Sequence, residues 1–198
     1  MNAGVVTALV VALARFPGGA PLASASGRFI VENEDRPPDA PARYLHALYV
    51  VEKRTKERKL LLEYARTVTA AWAPDRDALA VTNHVGSTQS TLSVFLFDHD
   101  GTSRRLDAGE ALYAAFPNLR GELVSYLHVH LELVQWHRGG VVECKLRAYA
   151  GAGKEITRRY LVNVDGGQAQ VLTATTKATP RPAGSPAREP AAPAEPRS

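Results

Sequence analysis

From Phe29 to Leu172 the chain reads as short apolar runs, some alternating with polar residues and some continuous, separated by clusters of Gly, Pro, Asp and Asn. Alternation with period two marks a strand with one covered face, and a short continuous apolar run marks a strand covered on both. The pattern predicts an all-β chain of antiparallel strands. Helical periodicity is confined to DAGEALYAAFPNL, where Asp107 or Gly109 starts one short helix and Pro117 ends it.

The strand pattern recurs. LYVVEKRTKERKL (Leu48 to Leu60) aligns with VFLFDHDGTSRRL (Val94 to Leu106) without a gap at a spacing of 46. Each holds four apolar residues, an acid (Glu52, Asp98), a polar turn, two basic residues and a leucine, which is a hairpin. A second pair of segments begins at the tryptophans: AAWAPDRDALAVTN around Trp72 and VQWHRGGVVECKLR around Trp136 share an apolar approach, a polar turn and an apolar run. In the first, Pro74 presets the turn and Asp75 is placed to hydrogen-bond its own turn, while Trp72 and Leu79 lie on the strands it joins. Downstream strands end in turns at Asp98 and Asp165. The unit is four antiparallel strands, the plan of a propeller blade, and at most three such units fit. Two to three blade-like sheets are too few to close a ring, so an open β structure with Ala111 to Phe116 covering an edge is predicted.

AAWAPDRDALAVT followed by STLSVFLFDHDG resembles the WD-like β-propeller repeat of bacterial exported proteins, the type found in the periplasmic Tol-Pal component. Trp72, Pro74, Asp75, Leu79, Asp98 and Gly101 match that pattern, while Ala73 and Arg76 stand where it has Ser and Gly. The likeness covers Ala70 to Leu106; the units around Val50 and Trp136 match less. The resemblance implies a propeller relative, serving as a platform for protein contacts or carrying an enzyme site.

The ends differ in composition. Ala3 to Ala14 are uncharged, and Arg15 and the small-residue stretch Ala23-Ser24-Ala25 follow. This predicts a secretory signal peptide over residues 1–25, cleaved before Ser26, and export to the periplasm or the exterior; the run is too short for an integral membrane span. Residues 26–173 form the β domain, and 174–198, rich in Pro and Ala, read as a disordered tail. At 198 residues and 45% apolar content the chain has room for one sizeable core. Removing Arg15 and the tail's four basic and two acidic residues leaves 19 basic and 18 acidic groups, so the net charge of +4 lies mostly at the ends. The electrostatic case for nucleic-acid binding disappears with it.

Candidate chemistry is sparse. His128 and His130, at i and i+2 of a strand, put both rings on one face, an arrangement a zinc or copper site could use, with His84 or His137 as a third ligand if the fold brings it close. A solvent-facing pair alternating with apolar neighbours explains the same spacing. Asp98 and Asp100 begin like a calcium loop but lack its later ligands, so they read as turn residues. Gly151 to Lys154 lacks the spacing of a phosphate loop. Cys144, the one cysteine, has no disulfide partner in the chain and reads as a small buried hydrophobe. The loops Glu32 to Arg43 and Asn83 to Thr91 offer polar groups for binding.

No catalytic residue or cofactor emerges from these motifs. The leading expectation is an exported, non-catalytic protein-binding or scaffold module with a protein partner or an oligomeric state. The rivals are a metal-dependent hydrolase using His128 and His130, and a self-assembling structural protein.

Overall fold

A computed structural model describes residues 12–36, 45–150 and 153–178. The strands are β1 (Ala14–Phe16), β2 (Leu22–Ala23), β3 (Phe29–Asp35), β4 (His46–Glu52), β5 (Arg58–Tyr64), β6 (Thr67–Trp72), β7 (Ala78–His84), β8 (Gln89–Phe97) and β9 (Ser103–Asp107), followed after two helices by β10 (His128–His137), β11 (Val141–Ala150), β12 (Lys154–Asn163) and β13 (Ala169–Ala178). The helices are α1 (Ala108–Ala115) and α2 (Pro117–Leu123). The chain is all-β with short helical trimming, as its periodicity predicts, and among the described residues no sheet closes into a barrel. One helix becomes two because Pro117, which cannot continue α1, starts α2 instead.

The strands form three consecutive antiparallel meanders, β2–β5, β6–β9 and β10–β13. The first is a separate sheet; β1 adds to the outer edge of β6. The second and third join where Gln89 and Ser90 of β8 run parallel to Val129 and His130 of β10.

Strands β6–β8 of the middle meander are covered on both faces, which is why β7 and β8 are written as largely continuous apolar runs. Ala71, Ala78, Ala80, Leu92, Val94 and Leu96 pack against the third meander and the helices. The alternate residues Val68, Ala70, Trp72, Leu79, Val81, Phe95 and Phe97 pack against the first. Trp72 is buried beside Phe29 and Phe97, and its indole N–H donates to the carbonyl of Leu22 at 2.9 Å. Trp136 is fully buried on the opposite, alanine-lined face, where small side chains leave room for the indole.

Both aligned hairpins form, but not in one register. Glu52 bonds Glu57 across a four-residue loop, whereas Asp98 bonds Thr102 across three. Val51 therefore faces Arg58 while the aligned Phe97 faces Ser103. The shorter loop ends on Gly101 at φ 86°, the longer on Lys56 at φ 62°.

Three expectations need correction. Asp75 does not cap its own turn: its carboxylate accepts the N–H of Gly139, in the turn after Trp136, at 2.8 Å. That bond ties the two tryptophan-led turns together, and beside it Arg76 reaches Asp165, in the turn between β12 and β13, at 2.9 Å. The expected start of the β domain at Ser26 cuts through the fold, because β1 pairs with β6, β2 with β3, and Phe16 is fully buried. The apolar run read as a leader lies mostly in residues 1–11, outside those described. The expected tail boundary at 174 is also too early, since β13 pairs with β12 as far as Ala178. Residues 179–198 lie outside those described.

Candidate functional site

The outward face of the third meander carries most of the residues with candidate chemistry. His128 faces Tyr149 across the β10–β11 pair, His130 faces Arg147 and Glu132 faces Lys145. The two imidazoles stack with centroids 6.4 Å apart and planes inclined by 20°. Tyr149 meets His130 edge-on at 6.4 Å. His128 donates from Nδ1 to the carbonyl of Ser87 at 3.1 Å, fixing that ring against the β7–β8 connection. Burial holds His130 below its ordinary value; Glu132 opposes that shift, and the charges of His128, His84 and Arg147 reinforce it. A lowered value keeps the ring neutral.

His84 is near enough for its charge to act on His130, but among the described residues no group of three His, Cys, Asp or Glu side chains is placed to hold a metal. His137 is at the other end of β10, seven residues and so about 23 Å from His130. It belongs to a different cluster, around Glu143.

Glu143 is 2% exposed, although it lies on the outward face of β11. Its Oε2 accepts from Gln135 at 2.8 Å and from His137 at 3.0 Å, and Arg159 pairs with Oε1. A buried carboxylate needs such partners, and these come from both neighbouring strands, Gln135 and His137 from β10 and Arg159 from β12. A bulge brings two of them there: the register shifts between Leu133 and Gln135, leaving Val134 as the extra residue. From that point Trp136 turns inward and Gln135 and His137 turn outward. His137 Nδ1 is buried without a partner among the described residues. Sequence reading missed Glu143, because an acid in GVVECKLRAYA reads as a solvent-facing strand position.

The other candidates are structural. Asp98 and Asp100 both accept from Thr102, at 3.3 and 2.7 Å, and those bonds hold the Asp100 carboxyl below the usual range. Arg28 donates to the carbonyl of Asp98 at 3.1 Å and pairs with Glu52 at 2.9 Å, linking the turns of the first two meanders. Cys144 faces the core, opposite to Glu143. Gly151 lies outside the described residues, and Lys154 opens β12 rather than a helix. Of the two polar loops, Glu32 to Asp35 belong to β3 and Gln89 to Thr91 to β8; residues 37–44 lie outside those described.

Two further features were not legible in the sequence. A cavity of about 160 Å³ lies beneath α1, between the start of β8 and the start of β10. The second is β13 itself, which ends the large sheet. No helix among the described residues is long and apolar enough to cross a membrane. The chain matches no known protein-family model, no curated protein and no solved structure, so the WD-like resemblance rests on the residues quoted for it alone.

Proposed function

We propose that the chain is a non-catalytic scaffold that assembles by strand addition, and that the strand received at β13 is the β13 of a second copy. One observation carries the reading. β13 runs for ten residues, pairs with β12 on both sides of a single bulge at Leu172 and, among the described residues, has no partner on its other side. An open strand edge is a template for another chain unless it is short or charged. The other edges are blunted in these ways: β1 and β2 have three and two residues, β5 begins with Arg58 and Lys59, and β9 holds Arg104 and Arg105.

The sequence of β13, AQVLTATTKA, has one charge, Lys177. Antiparallel self-pairing about the centre of the strand sets Thr173 against Ala174, Leu172 against Thr175 and Lys177 against Gln170 of the other copy, so no like charges meet. Val171 and Leu172, each 46% exposed, gain cover from such pairing. The closed two-fold arrangement stops at two copies.

Light scattering on the eluted full-length chain tests this, with a dimer as the expected mass. The double variant Leu172→Lys/Thr175→Lys places lysine against lysine at two points of the shared ladder, and a monomer with unchanged circular dichroism is expected. A wild-type chain that stays monomeric at high protein concentration overturns the reading.

A further inference from the structure

The cavity beneath α1 has apolar walls and a polar end. Leu112, Leu119 and Leu123 of the helices face Leu92, Leu131 and Leu146 of β8, β10 and β11 across it. Its polar side is formed by Ser90, Thr91, Asp107 and Glu110. Exposed Gln89 and Glu110 mark the rim, so the polar side is the one that meets water. Its volume, about 160 Å³, is close to that of engineered cavities that take up a single benzene ring. A wall of leucines with polar groups gathered at one end fits a ligand with one apolar body and one polar head.

Charge decides the head group. The ionisable carboxyl groups lining the cavity are those of Asp107 and Glu110, and no Lys, Arg or His lines it. Glu110 is paired with Arg120 at the surface, at 2.8 Å, which leaves Asp107, among the described residues, as the lining carboxylate without an ion-pair partner. The N-terminus of α1 would by itself favour an anion, but Asp107 Oδ1 already accepts the N–H groups of Gly109 and Glu110, at 2.8 and 3.1 Å. An incoming anion finds those donors taken and a carboxylate beside them. Ser90 adds a second acceptor: it is 3% exposed, and its bond to the Leu131 carbonyl is 3.4 Å, beyond the usual range for a hydroxyl.

We infer that this cavity binds a small organic amine, with a single ring or short alkyl body among the leucines and the ammonium group at Asp107 and Ser90. The site lies on the far side of β10 from the stacked histidines and does not depend on assembly through β13.

Calorimetry of the full-length chain with phenethylamine, ethylbenzene and phenylacetate tests the inference. Phenethylamine is expected to bind at least about tenfold more tightly than ethylbenzene, the worth of a hydrogen bond to a charged group, and phenylacetate more weakly than either. Asp107→Asn keeps a good helix cap while removing the charge, so it should cost the amine about tenfold and leave ethylbenzene unchanged. Leu131→Phe, which fills the cavity, should weaken both; Leu146→Phe serves the same end should the first variant fail to fold. Equal affinity for amine and hydrocarbon, tighter binding of phenylacetate, an amine affinity indifferent to Asp107→Asn, or no heat from any of the three at millimolar concentration overturns it.

Discussion

Trp136 donates its indole N–H to the main-chain carbonyl of Ala71, 3.0 Å away, so a side chain of the third meander satisfies the backbone of the middle one. Both partners are buried, and Phe at 136 would keep an aromatic ring while losing the N–H that joins the two meanders and part of the packed volume. Trp136→Phe is expected to lower stability by about 1–3 kcal/mol, read from the urea midpoint at unchanged slope.

The joint between the tryptophan-led turns makes Gly140 intolerant of substitution. It sits at φ 70°, and a Cβ there would lie 2.5 Å from the Arg76 guanidinium. Gly140→Ala is expected to cost about 1–2 kcal/mol from the backbone alone and to push Arg76 off Asp165. Adding Asp165→Ala to the variant should then cost little more, because the Arg76 pair is already broken and the remaining pair, to exposed Arg104 at 3.5 Å, is worth little.

Lys56 offers the opposite opportunity. It occupies the left-handed region at φ 62° in an exposed turn, where a side chain brings strain. Lys56→Gly is expected to raise stability by up to about 1 kcal/mol, net of the added freedom of the unfolded chain, and thermal melting would show it.

Burial pushes the Cys144 thiol up to about 12, from an ordinary value of 9.0. The folded chain therefore keeps its proton where the unfolded chain has lost it. This group's influence on stability is absent below pH 9, and stability falls as pH climbs from there towards 12. At pH 8 the thiol of the native protein should resist alkylation, and labelling should proceed only as fast as the chain opens.

A chain beginning at Ser26 lacks β1, β2, the buried Phe16 and the carbonyl that accepts the Trp72 indole N–H. Its stability is expected to fall by at least about 3 kcal/mol relative to the full chain, by the loss of Phe16 alone. Equal denaturation midpoints for the two chains would refute this.

What could be read from the sequence depended on how local its cause was. The hairpins, the helix stop at Pro117 and the turn after Trp72 were legible because periodicity and turn chemistry act over a few residues. Asp75 was misread because its partner, Gly139, lies 64 residues away. Glu143 was missed because the bulge at Val134 reverses the inside-outside alternation of β10, and nothing in the residue types marks it. The aligned hairpins looked identical, yet a single residue of loop length separates their registers. The cavity and the open edge of β13 depend on how strands from different meanders meet, and a pattern read along one chain does not encode that directly.

Strands β6–β8 of the middle meander have no wetted side, and this governs how the molecule can come apart. Peel away either outer layer and an oily surface is laid bare, on which neither half of the remainder is content in water. Loss of structure in one layer must therefore spread to the next, so the protein should melt in a single step instead of shedding modules in turn. For the same reason the three layers are poor candidates for cutting out and reusing singly, however alike their outlines are.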